Sequence, residues 1–127
     1  MINKKIQMTR IIFFIFFFFK STLLYGEVIK LDCNPKIFGS EEEIEWEYFK
    51  VQVDTKLKIL DYKEKRPNKD PKGFNNIVSS VDNRFVYFVN AVDLNTKLRF
   101  DYKNFIQSRL SSGKFVNDWD FRCVKTN

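Results

Sequence analysis

Two carboxylate pairs bracket the two tryptophans of the chain: Glu45 and Glu47 flank Trp46, and Asp118 and Asp120 flank Trp119. Paired carboxyl groups on either side of a bond are the apparatus of glycoside hydrolysis. In an extended strand, however, residues i and i+2 share a face and the residue between them points the other way. Both pairs then present their acids outward and their Trp inward, the pattern of a half-buried strand, so the spacing does not point to catalysis. The chain has no histidine, so no Ser-His-Asp or Cys-His arrangement can be assembled, and zinc or copper would lose a common ligand. Four glycines in all leave no phosphate-cradling loop, and neither Glu41-Glu42-Glu43 nor Asn117-Asp118-Trp119-Asp120 has the spacing of a calcium loop. No catalytic residue, metal site or cofactor is expected, and the chain reads as a non-enzyme.

The remaining reactive pair is Cys33 and Cys123, and its state depends on the first 26 residues. Lys4, Lys5 and Arg10 precede the apolar run Ile11–Phe19, Lys20 follows, and Ser21–Gly26 ends the segment without an acid. A basic start, a short apolar centre and a small terminal residue read as a secretory signal peptide over residues 1–26. The alternative is a retained anchor through residues 11–25, which is shorter than the roughly 20 apolar residues of a membrane span. Residues 27–127 then form a single β-rich domain in an oxidising compartment, periplasmic or extracellular, where two cysteines near opposite ends read as one disulfide. The whole-chain charge is +6, from 22 basic and 16 acidic residues; without the four basic residues of the leader it is +2. So small an excess argues against nucleic-acid binding.

Alternation along residues 27–127 supplies the elements. Ile29, Leu31 and Cys33 share one face of a strand over Glu27–Cys33, and Ile44, Trp46 and Tyr48 share one over Glu43–Tyr48. At Tyr48-Phe49 the apolar phase flips to Phe49, Val51 and Val53, which predicts a bend or bulge. A turn at Asp54-Thr55-Lys56 leads into Leu57–Tyr62, and Phe74–Val81 reads as a weak strand. Arg84–Val92 is apolar on both faces, Phe85, Tyr87 and Val89 against Val86 and Phe88, as in a covered central strand. Lys97–Tyr102 and Phe115–Val124 alternate again, the latter aligning Trp119, Phe121 and Cys123. Residues 104–112 are either a short helix closed by Gly113 or a loop. An echo of Val53–Lys63 in Val92–Lys103 suggests one hairpin chemistry used twice.

Because a disulfide needs close Cα atoms, the first and last strands should lie side by side. The expected fold is all-β: an antiparallel meander of six to seven strands forming a small closed or partly closed barrel, with a two-layer sandwich as the alternative. The aromatics Trp46, Tyr87, Phe100, Trp119 and Phe121 would either fill the core or line a cavity. Lys63–Gly73 reads as a solvated loop whose Lys63, Lys65, Arg66, Lys69 and Lys72 are the best local candidates for an anionic partner.

The leader, Ile29-Lys30-Leu31-Asp32-Cys33, Phe49–Asp54, Val92–Leu98 and the closing Cys123-Val124-Lys125 together resemble the small exported proteins of AT-rich marine bacteria. That resemblance implies a β-rich periplasmic domain and brings no activity with it. Such proteins often carry a glycine shortly before the last cysteine, where this chain has Phe121-Arg122. The function expected is an exported interaction or structural module contacting a protein or other envelope component. A carrier of a small apolar ligand and a membrane-tethered domain are the alternatives, and nothing in the sequence specifies an oligomeric state.

Overall fold

The computed structural model describes residues 26–126. The expected signal peptide or anchor falls on residues 1–26 and so lies, but for Gly26, outside the described residues. The described chain is all β-strand and connection. Ten strands follow one another: β1 (Val28–Cys33), β2 (Lys36–Ile37), β3 (Tyr48–Asp54), β4 (Ile59–Lys65), β5 (Lys72–Val81), β6 (Phe85–Asn90), β7 (Lys97–Asp101), β8 (Ile106–Ser111), β9 (Lys114–Asp120) and β10 (Cys123–Lys125). All pairings are antiparallel, in the order β10-β1-β3-β4-β5-β6-β7-β8-β9-β2. The all-β meander is as expected, but the count of six to seven strands is too low. β10 and β2 end the sheet without pairing to each other, so it is not closed into a barrel.

The sheet nevertheless curls until its ends meet. β2 lies at one end of the strand order, yet only Asn34-Pro35 separates it from β1, near the other end; Phe121-Arg122 likewise separates β9 from β10. Cys33 is paired in register with Cys123 and Lys36 with Asp120, so the two ladders keep step across the interruption. The Asn34 N–H bridges this seam, donating to the carbonyls of Phe121 and Arg122 at 2.9 and 3.3 Å. Cys33 and Cys123 form the disulfide here, with Cα atoms 4.0 Å apart. Arg122, at a seam position, has a φ of 48°, in the left-handed region that favours glycine.

Burial follows the alternation. Ile29 and Leu31 of β1, Phe49, Val51 and Val53 of β3, Leu60 and Tyr62 of β4, Val86 and Phe88 of β6, and Phe100 of β7 form the core with Tyr102 and Phe121. β6 is central, as its two apolar faces suggest: Val86 and Phe88 are buried while Phe85, Tyr87 and Val89 on the other face are half-buried. Val92, the last residue of the strand expected over Arg84–Val92, lies beyond the end of β6 and is 90% exposed.

Three local expectations are corrected. Glu43–Tyr48 is not a strand; β3 begins at Tyr48, and residues 38–47 form an irregular segment across the seam. That segment is held by Trp46, whose Nε1–H donates to the Pro35 carbonyl at 2.8 Å, and by Glu43, which pairs bidentately with Arg122 at 2.7 and 3.0 Å. Residues 104–112 hold no helix. They form β8, whose register shift at Gln107/Ser108 buries both of those polar residues, and Ser112-Gly113, both at positive φ, make the two-residue turn into β9. Lys63–Gly73 is not a loop throughout, because β4 runs to Lys65 and β5 starts at Lys72.

Turn chemistry explains why the chain reverses where it does. The Asp54 Oδ1 accepts the N–H groups of Lys56 and Leu57, the Asp82 Oδ1 those of Arg84 and Phe85, and the Asp101 Oδ1 those of Lys103 and Asn104. In each case a side chain supplies the acceptor that a tight turn lacks. Asp93 repeats the device with the Asn95 N–H and the Thr96 hydroxyl. Three of these four aspartates, Asp54, Asp93 and Asp101, fall within the sequence echo.

Candidate functional site

Inside the curl lies a cavity of about 230 Å³. Its walls are built mainly from inward positions of neighbouring strands: Phe49 of β3, Tyr62 and Glu64 of β4, Phe74 and Asn76 of β5, Phe88 and Asn90 of β6, Leu98 of β7, Gln107 of β8 and Trp119 of β9. Pro35 and Phe121 come from the seam, and Trp46 from the segment crossing it. An engineered cavity of about 150 Å³ lined by apolar side chains holds benzene, so the present volume suits one ring system with a substituent.

The floor is an aromatic stack. The Phe121 ring lies 5.2 Å from that of Phe49, 5.4 Å from Tyr62 and 5.1 Å from Phe100, and Tyr62 also meets Phe88 edge-on at 6.1 Å. Trp46 closes on Phe49 in a T-shaped contact at 5.2 Å. Edge-to-face and tilted packing of this kind leaves the rings in favourable quadrupolar orientation.

Polar groups are few and placed among the rings. The Tyr62 hydroxyl donates to the Gln107 Oε1 at 2.9 Å, and burial pushes its phenol well above the ordinary value, so it stays a donor at neutral pH. Asn76 and Asn90 are register partners on β5 and β6, and both line the cavity. The Asn90 Oδ1 accepts the Val92 N–H at 2.8 Å. Both amide atoms of Asn76 are buried without a hydrogen-bond partner. Glu64 is the lone carboxylate among the lining residues; burial raises it above the ordinary range, while Lys72 and Arg66 pull it back. Among the described residues, no lysine or arginine lines the cavity.

The residues singled out from sequence are distributed unevenly around this site. Trp46, Trp119 and Phe121 line it. Phe100 sits beneath it in the core with 0% exposure. Tyr87 is on the outer face, between the rings of Phe85 and Phe115 at 5.9 and 6.0 Å. The basic set does not gather at one place. Lys65 pairs with Glu47 at 2.6 Å, the Arg66 guanidinium lies over the Trp46 ring, and Lys63 is exposed on β4. Arg66, Lys69 and Lys72 line one groove of about 230 Å³, which they share with Glu64 and Asp70. Of the flanking acids, Glu47 is taken by Lys65 and Glu45 is exposed. Among the described residues no group of three His, Cys, Asp or Glu side chains is placed to hold a metal ion.

Asn76, Asn90, Gln107 and Glu64 were not singled out from sequence. The signal for Asn76 was present: it occupies an inward position between Phe74 and Val78, where alternation demands an apolar residue. Comparison of the chain with protein-family models, with curated proteins and with solved structures finds no match.

Proposed function

We propose that this domain is a carrier of one small ligand, held inside a sheet that works as a partly closed barrel. The observation that carries the reading is the aromatic-lined cavity of about 230 Å³, which lies inside the curled sheet and opens to solvent past half-buried lining residues such as Trp46, Phe74 and Trp119. Pockets that hold small molecules are typically apolar with a few placed polar groups, and this one has that composition. Carriage in place of turnover is part of the proposal; the described lining includes a single carboxylate, Glu64, among rings and amides. The Cys33–Cys123 disulfide supports work in an oxidising setting, periplasmic or extracellular, with residues 1–26 acting as the export signal.

Native mass spectrometry of the protein purified from its own host tests the reading. A reproducible bound mass of small-molecule size, lost when Trp119 is replaced by alanine, is the expected result. A clean apo mass from every preparation would instead favour a module that acts through its surface on an envelope partner.

A further inference from the structure

The cavity holds a feature that a carrier of purely apolar molecules would not need. Asn76 lines it from β5, and its amide Oδ1 and Nδ2 are both buried and both lack a hydrogen-bond partner. A buried polar group left unpaired costs about 1–3 kcal/mol, and such groups are rare enough that each one calls for an explanation. The other cavity amides are already engaged in part: the Gln107 Oε1 accepts from Tyr62, and the Asn90 Oδ1 accepts from the Val92 N–H. Asn76 is the amide whose acceptor and donor both await a partner.

We infer that the carried ligand is neutral and presents a lactam-type edge, an N–H beside a C=O, which pairs with both ends of the Asn76 carboxamide. The inference rests on the carrier reading and specifies its ligand. A side-chain amide offers an acceptor and a donor side by side, and the complementary partner is a planar donor–acceptor edge, as when Asn pairs bidentately with adenine. Anions are disfavoured, because among the described residues no lysine or arginine lines the cavity and Glu64 already stands in its wall. A cation would engage the rings and Glu64, yet it would leave the Asn76 Nδ2 donor unanswered. The rings of Trp46, Phe74 and Trp119 supply flat faces for the body of such a ligand.

Oxindole and indane test this directly. They share a benzo-fused five-membered skeleton, and only oxindole carries the N–H and C=O. The two tryptophans of the chain both line the cavity, so intrinsic fluorescence reads its occupancy. Titrating the disulfide-bonded protein should show oxindole binding at least about tenfold more tightly than indane. Asn76→Leu should remove that preference, leaving indane bound as well as before or better; retained indane binding also shows that the variant keeps its cavity. Equal affinity of the unaltered protein for both compounds, or an oxindole preference surviving in Asn76→Leu, would overturn the inference while leaving the carrier reading intact. Tetramethylammonium binding more tightly than oxindole would overturn it in favour of an aromatic cage for cations. Failure of all three probes to perturb the fluorescence at millimolar concentration would sink the carrier reading together with the inference.

Discussion

The interior of the curled sheet has two unlike regions. In one, Ile29, Leu31, Val51, Val53, Leu60 and Val86 are each 0–2% exposed, aliphatic and closely packed. In the other, rings and amides surround open volume. The same strands serve both. Along β4 the inward residues run Leu60, Tyr62, Glu64, and along β6 they run Val86, Phe88, Asn90. Aliphatic gives way to aromatic and then to polar within three inward steps on each strand. Branched aliphatics interdigitate to crystal-like density, whereas large flat rings held edge to face leave gaps between them. On the proposed carrier reading, the aliphatic region and the seam chiefly hold the fold together, and the aromatic region, although Phe88, Phe100 and Phe121 are also core residues, is where a ligand would sit.

The largest test of that division is the seam. Replacing Cys33 and Cys123 by serine opens a bond that spans 90 residues of sequence, and should cost about 4–5 kcal/mol on the chain-entropy account. Urea unfolding of the oxidised and serine forms measures it; a difference under about 1 kcal/mol would mean that the β1–β10 ladder holds the ends unaided. Next, Leu60→Ala in the aliphatic region should destabilise by about 2–5 kcal/mol, because rigid neighbours cannot collapse into the space left. Leu98→Ala, in the cavity wall, should cost less than half as much, since Leu98 is only half-buried and borders volume already open. Equal losses in the two variants would erase the distinction drawn here.

Asp101 offers a test by pH. It is 3% exposed, takes the Arg84 Nε–H on Oδ2 at 2.8 Å, and caps its turn through Oδ1. Burial pushes its carboxyl up, but hydrogen bonds from the Asn104 and Lys103 backbone and from Arg84 outweigh this and hold it below the ordinary 3.8. A carboxylate depressed in the folded state contributes stability that is complete above the unfolded value and is lost as pH falls through the folded one. Asp101→Ala should therefore destabilise by about 1.5–3 kcal/mol at pH 7, as expected for hydrogen bonds to a charged group, and the deficit should shrink on acidification below pH 3.8. A deficit independent of pH would assign the effect to packing. The smallest effect is expected at Trp46→Phe, which deletes the bond to the Pro35 carbonyl for about 1 kcal/mol. Hydrogen exchange of residues 38–47 should rise in that variant while β1 and β3 stay protected.

Much of the aliphatic region was legible because its inward positions are apolar without exception. Ile29-Leu31, Val51-Val53 and Val86-Phe88 alternate with polar residues and declare their strands. The cavity region was less so, for the same reason inverted. β8 read as helix or loop because its inward residues are Gln107 and Ser108, and β5 read as weak because Asn76 interrupts Phe74 and Val78. A polar residue placed inward is indistinguishable, along the chain, from one placed outward by solvent. Glu43–Tyr48 failed in the opposite sense: its alternation is real, but Trp46 satisfies it by docking on Pro35 and Phe49 without any strand partner.

By itself the sequence determined the all-β character and the pairing of its two cysteines, since alternation and cysteine count are local or compositional facts. It also determined the absence of histidine chemistry. Tertiary structure alone decided that the described residues form a sheet of ten strands with a seam, that three of the five chosen aromatics line one cavity, and that the Asn76 amide is buried without a partner. Those outcomes depend on which distant faces meet when the sheet curls, a matter of register and curvature summed over many strands, and no single stretch of residues encodes it.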